Sequence, residues 1–248
     1  MTILETILAG KADEVARLPK VSLPTLCTRD FSNLFPADGP AIFAEVKAAS
    51  PTAGVLTRDF NPAAIAREYV LGGANAISVL TDAGHFKGSY HDLGAVSAAV
   101  PHTPVLCKDF IVDEKQVMLA RANGADMCLL IARILDPLRL RDLKNVIEGL
   151  RMKAVIEITS EAELDMALKV GAGIVLINNR DLDTFELDKG QAACLSHLVP
   201  PEVKIIAASG YDTPDEVWTS PVPFDGFLIG SALMKTGDKA GFIRACRP

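Results

Sequence analysis

Eight short apolar runs recur along the chain, at residues 41–46 (AIFAEV), 75–80 (NAISVL), 103–108 (TPVLCK), 126–131 (DMCLLI), 153–158 (KAVIEI), 173–178 (GIVLIN), 203–208 (VKIIAA) and 225–230 (DGFLIG). Each leads into a polar turn and then into sequence of helical character, as in NPAAIAREYVLGGA, DEKQVMLARANGA, SEAELDMALKVGA and TPDEVW. The runs begin roughly 20–35 residues apart, the spacing of strand–helix units. They are apolar at successive positions rather than alternately, as when helices cover one face of a sheet and a packed interior fills the other. Thr159 or Ser160 ahead of EAEL, and Thr213-Pro214 ahead of DEV, mark helix starts. The steps Gly73-Ala74, Gly124-Ala125 and Gly171-Ala172 place glycine where helices end. Eight such units in 248 residues predict an α/β chain folded as a closed (β/α)8 TIM barrel. An open doubly wound sheet is the rival, but the GxGxxG turn such sheets often carry after the first strand is missing.

The first 20 residues, MTILETILAGKADEVARLPK, read as an amphipathic helix with Ile3, Leu4, Ile7 and Leu8 on one side. A proline-rich, polar connection follows. The expected organisation is therefore a single barrel domain over 1–248, with 1–40 as an N-terminal helical extension and connection. The N-terminus lacks the basic start and apolar stretch of a secretory signal. No run approaches the ~18 apolar residues of a membrane span. A net charge of −6 argues against nucleic acid as a main partner, while a local basic patch can still hold an anionic small ligand. The five cysteines, Cys27, Cys107, Cys128, Cys194 and Cys246, are scattered without a CxxC. Cys107 and Cys128 fall in strand-like runs and read as reduced core residues of a cytoplasmic protein. His85 and His91 share a loop region without metal-ligand spacing, so no metal is expected.

Function in such a barrel belongs at the carboxyl ends of the strands. There the sequence places Glu45 and Lys47 on the first, Lys108 on the third, Glu157 on the fifth and Asn178 on the sixth. The two-residue period of a strand puts Glu45 and Lys47 on one face, and aligns Leu106 with Lys108 and Val155 with Glu157. Taken singly, each could be half of an ion pair on the rim. As a set confined to strand ends they predict acid–base chemistry, since burying charge costs several kcal/mol. Ser209-Gly210 and Gly230-Ser231 end the last two strands. Small residues there expose backbone N–H groups where barrels commonly hold phosphate. The residues alone thus predict an enzyme acting on a small phosphorylated compound.

The stretches AEVKAASPTAG, ISVLTDAGHFKGS, VLCKDFIVDEKQ, ADMCLLIARIL, VIEITSEAELDMAL, INNRDLDTFELD and GFLIGSALM closely resemble the indole-3-glycerol phosphate synthase family, in order along the chain. The resemblance implies a (β/α)8 barrel whose N-terminal helical segment helps cover the site. It implies conversion of 1-(2-carboxyphenylamino)-1-deoxyribulose 5-phosphate to indole-3-glycerol phosphate, CO2 and water, a carboxy-lyase step of tryptophan biosynthesis, with no cofactor; no obligate protein partner is evident in the sequence. It also implies roles. Lys108 is the general acid and Glu157 the acid–base carboxylate of the later dehydration. Lys47 holds the substrate carboxylate or carbonyl, Glu45 orients the lysines, and Asn178 bonds the substrate hydroxyls. Arg180 approaches the anthranilate carboxylate, Ser50, Ser209, Gly210, Gly230 and Ser231 bind phosphate, and Phe86 and Phe110 pack on the aromatic portion. The chain departs from the family at Ala208, where the seventh strand normally ends in Glu-Ser-Gly, and at Ala48, Thr52 and Ala53 in the first loop. These departures leave two alternatives: a paralogue acting on a modified anilino-sugar phosphate, and a phosphate-ligand binding protein without turnover.

Overall fold

The computed structural model describes residues 2–22, 29–50, 54–57 and 59–247. Cys27, Thr52 and Ala53 lie outside the described residues, as does the side chain of Ile3. Among the described residues eight parallel strands close into a barrel in sequence order. They are β1 (Ala41–Val46), β2 (Ala76–Leu80), β3 (Val105–Lys108), β4 (Met127–Ile131), β5 (Lys153–Ile158), β6 (Ile174–Asn178), β7 (Lys204–Ala208) and β8 (Gly226–Ile229). β1 closes the ring by pairing with both β2 and β8. Helix α1 (Ile3–Arg17) precedes the barrel, and α2 (Pro62–Leu71), α3 (Ala83–Phe86), α4 (Tyr90–Ala99), α5 (Glu114–Ala122), α6 (Pro137–Gly149), α7 (Glu161–Lys169), α8 (Gln191–Ser196), α9 (Pro214–Trp218), α10 (Ser231–Lys235) and α11 (Lys239–Ala245) lie between and after the strands.

Several strands start one or two residues later than their apolar runs, for a physical reason. Asn75, Asp126 and Asp225 each stand just before a strand, bond to a neighbouring strand through the main chain, and cap a neighbour's start with the side chain. Asn75 Oδ1 accepts from Ile42 N, Asp126 Oδ2 from Val105 N and Asp225 Oδ2 from Ile205 N, all at 2.9 Å. Each side chain satisfies a backbone donor at the closed end of the barrel, where an unpaired N–H would be costly.

The helix signals resolve to named caps. Ser160, rather than Thr159, caps α7 by accepting from Glu163 N, while Thr159 N donates to Glu163 Oε2 at 2.6 Å. Thr213 forms a capping box with Glu216 at the start of α9. Gly124 ends α5 at φ +84°, and a Cβ there would also collide with Ser97, so both backbone and space exclude a side chain.

The core divides by strand face. Phe43, Leu106, Met127, Val155, Leu176, Ile206 and Leu228 fill the barrel interior. Ile42, Ile77, Cys107, Cys128, Ile156 and Val175 face the surrounding helices. Each fully buried large side chain contributes about 1.5–3 kcal/mol. From α1, Leu4 and Ile7 are buried with the interior cluster and Leu8 packs half-buried beside it. The same helix buries a charge, Lys11, that the apolar periodicity gave no reason to expect.

The connection from α1 to β1 is anchored by Arg29. Its guanidinium donates to Pro101 O, Gly124 O, Ser97 O and Asp126 Oδ2, the last at 2.6 Å. Asp126 is itself fully buried. Replacing Arg29 with alanine withdraws the nearest cation from that carboxylate, and is expected to lower unfolding free energy by about 3 kcal/mol. A urea titration checks this through a lower midpoint at unchanged slope.

Candidate active site

The carboxyl ends of the strands surround a cleft of about 140 Å³. Register decides which charges meet there. Glu45 lies beside Ser78 of β2, Leu80 beside Lys108, Ile131 beside Glu157, and Asn178 beside Ala208. The side chains form one chain across the barrel mouth. Lys47 Nζ is 2.8 Å from Glu45 Oε1, Glu45 Oε2 is 3.9 Å from Lys108 Nζ, and Lys108 Nζ is 4.0 Å from Glu157 Oε2. Asn178 Nδ2 donates to Glu157 Oε1 at 3.0 Å. Its Oδ1 accepts from Ser209 Oγ at 2.8 Å and from Arg180 N at 3.0 Å.

Burial and charge oppose one another at Glu45. Desolvation alone would raise its carboxyl; Lys47 first, then Lys108, outweigh it and hold the group below the ordinary carboxylate range. Glu45 is therefore a fixed anion. Lys108 is arranged differently. Its separations from Glu45 and Glu157 exceed hydrogen-bond length, so attraction centres the ammonium without fixing its N–H directions. Glu157 is buried, and its Oε2 has no hydrogen-bond partner among the described residues. An orphaned buried acceptor beside an unbonded ammonium suits proton exchange with a third group placed between them.

Gly230 makes room for the glutamate–lysine pair. A Cβ there would run into Glu45 Oε1 and come within 2.9 Å of Lys47 Nζ. Gly230 and Ser231 line the cleft where α10 begins, and no side chain caps that helix start. Its first backbone N–H groups have no intrahelical acceptor. Gly210 lines the same wall. Ser209 does too, with φ +69°, but its hydroxyl proton is committed to Asn178, which leaves its main chain to face a ligand. Ser50 lines the same cleft from the segment after β1, the strand next to β8, in a two-residue ribbon, Ala49–Ser50, paired with Gly54–Val55.

The remaining sequence-derived residues divide. Arg180 lines the cleft and donates from Nη1 to Phe185 O at 2.8 Å, so its guanidinium is tethered to its own loop. Phe86 lines the cleft as well. Phe110 and Glu157 do not form its wall. Phe110 sits behind Phe86, with ring centroids 6.4 Å apart, and Glu157 reaches the cleft beside Asn178 and Lys108. Ala208 lines the wall as a small apolar surface.

Sequence reading passed over Leu182, Phe185 and Tyr211, which also line the cleft. All three lie within a few residues of Arg180 or Ser209, so apolar residues in strand-end loops were the available signal. It passed over Arg133 too. That guanidinium joins Thr159, Glu163, Asp181 and Asp183, holding the loops after β5 and β6 together. The Asp181 carboxyl is pushed down to about 2: its desolvation is outweighed by the bond from Arg133 and by backbone N–H donors at Thr184 and Asp183.

The indole-3-glycerol phosphate synthase family model matches residues 4–246. A Rippkaea orientalis protein named indole-3-glycerol phosphate synthase is 43% identical over 95% of this chain and 86% of its own length. One of the same name from Mycolicibacterium gilvum is 42% identical over 96% of this chain and 90% of its own. Among solved structures, KGPDC from Streptococcus mutans superposes with a TM-score of 0.63 at 14% identity, over 83% of this chain and 94% of that one, a likeness of fold alone. Matched across nearly its whole length by the family model and by relatives above 40% identity, this chain belongs to the indole-3-glycerol phosphate synthase family.

Proposed function

We propose that the cleft closes the indole ring of 1-(2-carboxyphenylamino)-1-deoxyribulose 5-phosphate, with loss of CO2 and water, and that Lys108 is its central acid. The observation that carries this assignment is the Lys108 ammonium held between two buried carboxylates without a directed bond to either. As the ring carbon attacks the ribulose carbonyl, negative charge grows on the carbonyl oxygen, and an N–H donor from Lys108 stabilises and then protonates it. Loss of CO2 restores the aromatic ring, so that step asks mainly for orientation. Dehydration needs a proton delivered to the leaving hydroxyl and another removed, and Glu157, whose Oε2 has no hydrogen-bond partner among the described residues, serves this exchange. Lys47, fixed by Glu45, meets the substrate carboxylate or carbonyl. Asn178 has its amide orientation set by three partners and bonds the sugar hydroxyls. Arg180 approaches the anthranilate carboxylate. Ser50 and the main chain at Ser209, Gly210, Gly230 and Ser231 receive the phosphate, and Phe86, backed by Phe110, packs on the aromatic ring.

This reading needs no cofactor and no protein partner, and it places the reaction in the cytoplasm. Buried, unbridged Cys107 and Cys128 are compatible with a reducing compartment, and no helix among the described residues is long and apolar enough to cross a membrane.

Incubation with the substrate, followed by the fluorescence of the indole product, tests the assignment. Lys108→Ala is expected to lower kcat by about 10²–10⁴-fold while product binding persists. Normal turnover in that variant would remove Lys108 from its role. Gly230→Ala is expected to separate Glu45 from Lys47 and lower kcat at least about tenfold, with the thermal midpoint measured alongside to show that the fold is kept. Ala208→Glu, which supplies the carboxylate usual in the family, is expected to raise kcat. An unchanged or lower rate would show a cleft adapted to alanine.

A further inference from the structure

Lys11 is among the largest fully buried side chains of the protein, although it carries a charge. It comes from α1; two of its partners come from loops at the barrel mouth and the third, Glu14, from α1 itself. Its Nζ lies 2.7 Å from Asp109 Oδ1, 3.0 Å from Asp82 Oδ2 and 3.0 Å from Glu14 Oε2. Three carboxylates surround this ammonium: Glu14 and Asp109 accept its hydrogen bonds, and Asp82 completes the ion cluster. Burial works against the charge, but Asp109 first, then Asp82 and Glu14, hold it ionised, with its titration above the ordinary lysine range. His85 and Tyr90 border the cluster. His85 Nδ1 is 3.5 Å from Asp82 Oδ1, and the charge of Asp109, after burial, helps to keep the Tyr90 phenol protonated.

The two loop carboxylates each organise a mouth residue. Asp82 caps α3 by accepting from His85 N at 2.7 Å, and α3 ends in Phe86. Asp109 follows Lys108 directly, and its Oδ1 accepts from Phe110 N at 2.7 Å. The loops are also bolted to one another: Thr81 Oγ1 donates to Asp109 Oδ2 at 2.7 Å, and Thr81 N donates to Lys108 O at 3.1 Å. Without a cation, Asp82 and Asp109 would be two buried anions facing each other across this joint, and repulsion would open it.

We propose that Lys11 is a positioning residue for the reaction: from α1 it holds the loops after β2 and β3 together, and with them Lys108, Phe86 and Phe110. The inference rests on Lys108 being the central acid. It gives the N-terminal helix a part in placing the reacting groups. The phosphate end, built from β7 and β8, lies outside this joint.

A double-mutant cycle on Lys11→Met and Asp109→Asn tests the proposal. Each single variant is expected to lower kcat by about tenfold or more, because small misplacement of a reacting group is costly. The double variant should be no worse than the poorer single one, since both changes break one joint. Binding of the phosphate-bearing product should stay within about threefold of the unaltered protein. Hydrogen exchange provides a readout independent of turnover: amides at 109–112 should exchange at least about tenfold faster in Lys11→Met. Additive effects on kcat, an unchanged kcat in Asp109→Asn, or unchanged exchange at 109–112 would each overturn the proposal. The Asp109→Asn result stands even if Lys11→Met fails to fold. Absence of turnover in the unaltered protein would instead refute the proposed reaction, and the exchange measurement would still decide whether Lys11 holds the joint.

Discussion

Everything at the mouth of this barrel depends on ring closure through β1. Because β1 pairs with both β2 and β8, Glu45 is brought beside the second strand on one side and Gly230 on the other. An open sheet of the same strands would leave Glu45 and Lys47 at one edge and Gly230 at the other. Closure places the glutamate against the one residue type that leaves space for it. It also turns the inward-facing ends of β3, β5 and β6 toward a common axis, so that Lys108, Glu157 and Asn178 join the same line of charge and hydrogen bonds.

The mouth combines two kinds of electrostatic contact. Some charges are tightly bonded and serve as fixed points: Glu45 with Lys47, Lys11 with its three carboxylates, Arg133 with Asp181 and Glu163. Lys108 and the outer oxygen of Glu157 are left loosely paired among them. A fully paired charge is a poor proton donor or acceptor, because its partner must be displaced first. The fixed points therefore orient, and the loosely paired groups are the ones arranged to react. The clamps lie on different arcs of the rim: Lys11 ties α1 to the loops after β2 and β3, whereas Arg133 ties those after β5 and β6.

Most strand positions were legible because a strand buried on both faces must be apolar throughout, and polar turns then mark its ends. The runs and the strands differ mainly at strand starts. Asn75, Asp126 and Asp225 open apolar runs, yet each spends its side chain on the N–H of an adjacent strand, a contact between residues distant in sequence. The mouth residues were legible by the same logic: a charge at the end of an apolar run has few places to go in a barrel. Lys11 was not. On α1 it reads as an ordinary polar position, and its partners Asp82 and Asp109 lie far along the chain.

The sequence by itself determined the eight strand–helix units, their order and the polar residues that each presents at its carboxyl end, because periodicity and capping act between near neighbours. Only the tertiary structure decided which of those residues meet, and how closely. Register set Glu45 and Lys108 at 3.9 Å rather than at bonding distance, pinned the Asn178 amide with Ser209 and placed Phe110 behind Phe86, and the docking of α1 made Lys11 a buried joint. Such distances follow from barrel closure and the docking of α1, which sum contacts over the whole chain and leave no trace in any local pattern.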